Sequence, residues 1–241
     1  MIFDQIIKLL NAITPLLQVL IWPIIILFLW RAFKIYVEDL RKDKNVSEMG
    51  FGVGPSGLNL NFKKQVNVAT SLVQDNVVKQ VKEGVTNPTL SSAQKDAIVD
   101  VVSMATHPAT AQRIAGAKVL WVDDHPENNL YPRKAMEELG IQITLSTSTE
   151  DALEKIHSDT YDVIISDMGR QPPNPQAPYE TMAGYDLLDK LRAEHINTPF
   201  IIYAGSRSPE HQKETQRHGG FGTTNNAQEL LQMVINAIQQ G

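Results

Sequence analysis

The chain has 241 residues, no cysteine and a formal net charge of −5. Without cysteine, disulfides and thiolate metal sites are excluded, which suits a reducing compartment, and the length allows one or two domains. The charge is uneven: residues 1–117 hold 12 Lys+Arg against 9 Asp+Glu, a net of +3, whereas residues 118–241 hold 10 against 18, a net of −8. Nucleic-acid binding normally rests on a basic face, so the acidic second half disfavours a nucleic-acid partner.

The first apolar stretch, Ile13 to Trp30, carries no charge, and extended back to Ile6 it is long enough to cross ~30 Å of hydrocarbon. Trp22 and Trp30 are suited to the membrane interface. A cleaved signal peptide would place its basic residues first; here Arg31, Lys34, Arg41, Lys42 and Lys44 follow the apolar run. The expectation is a retained single span in the inner (cytoplasmic) membrane. Met1 lies outside and everything after Arg31 lies in the cytoplasm, because basic residues stay inside. Pro15, Pro23, Asn11 and Gln18 are compatible with a kinked helix or with self-association.

Residues 1–45 are thus expected to form an anchor and a juxtamembrane helix. Residues 46–111 are expected to be a small hairpin followed by two amphipathic helices. Pro55-Ser-Gly reads as a turn, with Leu58, Leu60 and Phe62 alternating after it. The glycines of 50–57 lack the Gly-Lys-Ser/Thr ending of a phosphate loop. Val66, Ala69, Val73, Val77 and Val81 predict a helix over 65–85, closed by Gly84 and Pro88. Ser91 or Ser92 caps a second helix running to about Ala105, which His107-Pro108 stops. Two short amphipathic helices cannot bury their apolar faces alone. They can pack on each other, on the C-terminal domain, or on further copies, and 46–111 is a candidate oligomerisation region.

From Lys118 onward, strand and helix patterns alternate. Strands are predicted at 119–122, 141–145, 161–166, 199–203 and near 220–224. Helices are predicted at 128–139, 148–157, 183–194, 209–217 and 227–239. A parallel sheet with helices on both faces is the economical solution, and residues 112–241 form its domain. Val119 to Val122 runs straight into Asp123 and Asp124, and Tyr161 to Ser166 runs into Asp167. Continuous apolar runs fit interior parallel strands, whose carboxyl ends carry ligand sites. One carboxylate there would be an ordinary helix cap or turn residue. Three converging carboxylates repel one another, and a hard divalent ion with oxygen ligands, most simply magnesium, resolves the conflict.

These residues resemble the receiver domain of two-component response regulators, the chemotaxis-regulator fold. The resemblance rests on Val-Leu-Trp-Val-Asp-Asp-His-Pro-Glu-Asn-Asn (119–129), Asp-Val-Ile-Ile-Ser-Asp-Met (162–168), Met182 to Arg192, and Thr198-Pro-Phe-Ile-Ile-Tyr. It covers residues 118–241, about half of the chain. It implies a flavodoxin-like, doubly wound α/β fold with five parallel strands in the order 2-1-3-4-5. It also implies that Asp167 is the phosphoacceptor for a partner histidine kinase. Asp123, Asp124 and Asp167 would then hold magnesium, helped by a backbone carbonyl near Gly169.

The sequence departs from the family pattern at two positions. Ala204 stands where the family places Ser or Thr, with Ser206 two residues late. The segment 221–227 has no lysine where the family places one before a proline. Phosphoryl transfer depends on such positioning and charge. Arg170 or Arg207 could replace the missing positive charge, or could be an ordinary surface ion partner. The Pro-rich stretch 170–181 beside Asp167 reshapes the pocket or is a plain surface loop. His125 reads as an exposed helix-start residue.

Two function classes follow. The first, favoured by the missing groups, is a membrane-tethered receiver-like signalling scaffold that acts through protein contacts and a homo-oligomer with little phosphorylation-driven switching. The second is a phosphorelay receiver phosphorylated on Asp167 with bound magnesium. No enzyme is expected, because the aspartyl phosphohydrolases that resemble haloacid dehalogenases need Asp-x-Asp, and here the acids are adjacent.

Overall fold

The computed structural model describes residues 55–240 apart from residues 173, 175 and 206–208. The expected anchor, the start of the expected hairpin, Ser206 and Arg207 lie outside these residues. No helix among the described residues is long and apolar enough to cross a membrane.

Three helices come first: α1 (Pro55–Lys82), α2 (Ser92–Thr106) and α3 (Pro108–Ile114). The described part of the expected hairpin is helical instead. Pro55 opens α1, a position at which its missing N–H costs nothing, and helix then runs through the Leu58–Phe62 alternation. The apolar spacing from Ala69 to Val77 is in phase with this longer helix. Helix α2 begins at a capping box: the Ser91 hydroxyl accepts from the Gln94 N–H, and the Gln94 side chain accepts from the Ser91 N–H. His107-Pro108 does stop α2, but Pro108 is also the first residue of α3. That short helix escapes the sequence pattern because a proline signals a start as readily as a stop.

The remainder alternates as expected. Strands β1 (Lys118–Val122), β2 (Gln142–Ser146), β3 (Val163–Ser166), β4 (Phe200–Tyr203) and β5 (Gly222–Thr224) form one sheet in the order β2-β1-β3-β4-β5. All four strand pairs are parallel. The intervening helices are α4 (Leu130–Glu138), α5 (Thr149–Ser158), α6 (Ala183–Ala193), α7 (Pro209–Arg217) and α8 (Ala227–Gln240). This is the flavodoxin-like doubly wound order, with its switch point between β1 and β3.

Strand alternation sends side chains to two cores. Leu120, Val122, Ile164, Phe200 and Ile202 pack with Tyr185, Leu187, Leu188 and Leu191 of α6 on one face. Val119, Trp121, Val163, Ile165, Ile201 and Tyr203 pack on the other face with Ala135 and Met136 of α4 and Leu230, Leu231, Val234 and Ile235 of α8. The second core does not end at the receiver-like sequence. Val68 and Leu72 of α1, Ile98, Val101, Val102 and Ala105 of α2, and Ile114 of α3 belong to the same cluster.

The described residues on both sides of the boundary expected at 111/112 therefore pack into a shared core. The apolar faces of α1 and α2 are buried on the sheet domain, which was one of the three partners open to them. The physical reason is area: α4 and α8 leave an apolar surface that the three helices cover, as two-layer packing requires.

Candidate functional site

Strands β1 and β3 are in register from Val119↔Val163 to Val122↔Ser166. Their next residues, Asp123 and Asp167, therefore emerge side by side at the carboxyl edge. Asp123, Asp124 and Asp167 each present an oxygen within 4.8 Å of the others. The structure thus brings all three sequence-predicted acids together. Gly184 contributes to this: a side chain there would meet the Asp167 carbonyl oxygen at 2.4 Å, so only glycine lets α6 begin so close to the acid.

Asp123 is buried and fixed. One carboxylate oxygen accepts the His125 backbone N–H at 2.8 Å, and the other accepts the Asn129 side-chain amide at 2.6 Å. Asp124 accepts the Gln171 backbone N–H at 2.7 Å. The His125 ring is exposed and turned to Glu127, so it stands outside the acid group.

Arg170 is the largest departure from an open acid pocket. Its side chain is 1% exposed. Nε and Nη2 both donate to Asp167 Oδ1, at 3.0 and 2.8 Å. Nη1 donates to the Thr149 hydroxyl at 2.9 Å, and Nη2 also donates to the Ser166 hydroxyl. Of the two arginines named from sequence, Arg170 takes the place beside the acid. It is a buried partner rather than a surface one.

The Pro-rich stretch turns back on Arg170, whose backbone pairs with Glu180 in both directions, at 3.0 and 3.1 Å. Tyr179 then lies against Gly169, where a side chain would come within 2.8 Å of its hydroxyl. The stretch is therefore a strap along the pocket rim, carrying Tyr179 into the lining.

Burial pushes the Asp167 carboxyl up to about 7, although Arg170 pulls it down; Asp123 and Asp124 add to the rise. A carboxyl whose folded value exceeds its unfolded value binds extra protons when folded. Stability in metal-free solvent therefore falls as pH rises from about 4 to 7, by about 4 kcal/mol at most.

The pocket has a second wall that the sequence did not disclose. Asp123, Asp124, Asp167, Gly169, Ala204 and Asn225 line a cleft of about 730 Å3 together with Lys79 and Lys82 of α1. Ala204 and Asn225 stand at the ends of β4 and β5 in this lining, one with a methyl group and the other with an amide. The donor set fits a hard divalent ion: three carboxylates gathered at a cleft, with no hydrogen bond among the described residues reaching Asp167 Oδ2. Asn129, the Gln171 N–H, Thr149 and Ser166 were also missed from sequence, since each is recruited by a tertiary contact and carries no motif of its own.

The fold and the acid cleft define a doubly wound module with three carboxylates gathered at the carboxyl ends of its central strands. Residues 119–234 match the family model described as the response regulator receiver domain, and this segment is such a domain of two-component signalling. The sensor protein EvgS of Escherichia coli (strain K12) is 30% identical over 96 residues, 39% of this chain and 7% of that protein. The virulence sensor protein BvgS of Bordetella bronchiseptica is 28% identical over 144 residues, 57% of this chain and 11% of that protein. The chain thus spans only a small part of the length of these sensor proteins. The receiver domain of the Francisella response regulator 1452 is 30% identical, with a TM-score of 0.45 over 52% of this chain and 98% of that structure.

Proposed function

We propose that the chain is a membrane-tethered signalling receiver that acts by protein–protein contact. In this reading Asp123, Asp124 and Asp167 hold magnesium, and Asp167 accepts a phosphoryl group only slowly. Phosphorylation moves the segments after β4 and β5 little. The observation that carries it is the buried Arg170 clamped on Asp167 Oδ1, which already neutralises the acceptor at rest. Ala204 and Asn225 add no hydroxyl and no cation to draw those segments inward.

A faster phosphorelay, with a histidine kinase as partner, is the second reading. The convergence of all three carboxylates favours it. Bound magnesium would neutralise the pocket and screen the incoming charge. The residues of this chain do the rest: Asp123 and Asp124 orient the ion, and Asp167 presents its free oxygen.

Thermal melting of the full chain in mild detergent tests the site. Millimolar magnesium should raise the melting temperature, and more at pH 8 than at pH 6, because ionised Asp167 is the form that the ion prefers. Asp124→Asn should abolish the shift. No response of the parent to magnesium would mean that the triad does not bind the ion. A further large shift with trifluoroberyllate, the phosphoryl stand-in, accompanied by release of α7, would favour the phosphorelay reading.

The tether rests on the uncharged run 13–30 and the basic residues after it. Protease added to sealed right-side-out vesicles should leave residues 55–241 intact. Their digestion would refute the topology.

A further inference from the structure

Lys79 belongs to α1, outside the receiver sequence, yet its ammonium reaches the far end of the sheet. It donates to the Tyr203 hydroxyl at 2.7 Å and to the Asn225 backbone carbonyl at 2.9 Å, and it pairs with Asp75 at 2.9 Å. Three acceptors saturate an ammonium, which has three N–H bonds. The ammonium also lies 5.1 Å from the centre of the Tyr203 ring, which in turn meets Trp121 edge to face at 5.8 Å. Tyr203 ends β4 and Asn225 follows β5, so Lys79 is fastened where the two strands open into the acid cleft.

The charges around this cleft are lopsided. Asp123, Asp124 and Asp167 form one wall, Arg170 is committed to Asp167, and residues 221–227 bring no cation. An anionic group attached at Asp167 would extend from that wall into the cleft. Beyond a metal ion, the lysines and arginines that line the cleft among the described residues are Lys79 and Lys82. Lys82 sits at the mouth, held by the Asn128 side chain at 3.2 Å. Lys79 sits on the β4–β5 wall. To take an anionic oxygen it has to give up one of its three acceptors. A charge-assisted bond to a doubly charged group outcompetes a neutral hydroxyl or carbonyl.

We propose that Lys79 is the cation that meets an anionic group held at Asp167, so that filling the acid cleft loosens the Asp75–Lys79–Tyr203 clamp and is felt by helix α1. This deepens the receiver reading and rests on it. The missing charge of the receiver sequence is supplied by the helix before it. The response then travels toward the N-terminal side of the chain, through α1.

The test uses the full chain in mild detergent with magnesium and trifluoroberyllate as probes. Lys79→Met should leave magnesium binding within about twofold of the parent and weaken trifluoroberyllate binding about tenfold or more. Lys79→Arg should recover most of that loss, and Lys82→Met should weaken it much less. Amide hydrogen exchange across 73–82 should quicken on adding trifluoroberyllate to the parent, and not in Lys79→Met. Equal trifluoroberyllate affinity in the parent and Lys79→Met overturns the inference while leaving the receiver site standing. Failure of the parent to bind magnesium and trifluoroberyllate overturns both. If Lys79→Met fails to fold, Tyr203→Phe removes one of the three acceptors and should make α1 exchange faster at rest; unchanged exchange would also sink the proposal.

Discussion

Arg170→Met is expected to destabilise the metal-free protein by about 3–5 kcal/mol at pH 8, the range for removing one partner of a buried ion pair. The guanidinium is 1% exposed and bonds Asp167, Thr149 and Ser166 together. Methionine fills similar space but removes the cation that pulls the Asp167 carboxyl down, leaving that acid buried beside two others and two buried hydroxyls short of a donor. Saturating magnesium should restore much of the loss, because the ion supplies charge to the same carboxylate. Chemical denaturation with and without magnesium measures this. A variant equally stable in both conditions and equal to the parent would show that Arg170 carries no such burden.

Leu72→Ala is expected to cost about 2–5 kcal/mol, as for other fully buried leucines. Leu72 lies in α1, well before the receiver segment, but its side chain sits in the core that holds Trp121, Met136 and Val234. The whole unit should therefore unfold earlier in one transition, read both by far-ultraviolet circular dichroism and by Trp121 fluorescence. Phe62, on the same helix but 65% exposed, should tolerate alanine with little change. A two-step melt of Leu72→Ala, with the sheet unaffected, would show that α1 is merely docked.

The sheet was legible in the sequence because its signals are local. Apolar runs mark β1, β3 and β4 and end in acids or turns, and Gly140 closes α4 with a positive φ of 90°. The carboxylate site was legible for the same reason, since parallel register alone brings two strand ends together. The hairpin misreading came from Pro55-Ser-Gly, where a turn and a helix start share the same residues. Lys79 was illegible, because nothing about a lysine late in an amphipathic helix announces a contact with Asn225, 146 residues further on. Arg170 could be suspected from its place three residues after Asp167, but its burial comes from Thr149 and Ser166, which sequence does not link to it.

The shared core also sets an order of events during synthesis. Helices α1 to α3 are complete by Ile114, yet Leu230, Leu231, Val234 and Ile235 of the same core lie in the last helix. At ribosomal speed, the interval between these two stretches is on the order of ten seconds. For that time the apolar stripe of Val68, Leu72, Ile98 and Val101 waits beside a sheet that lacks its final strand and helix. The nascent chain is then most open to wrong partners, and the emergence of α8, rather than of the receiver's first strand, closes the fold.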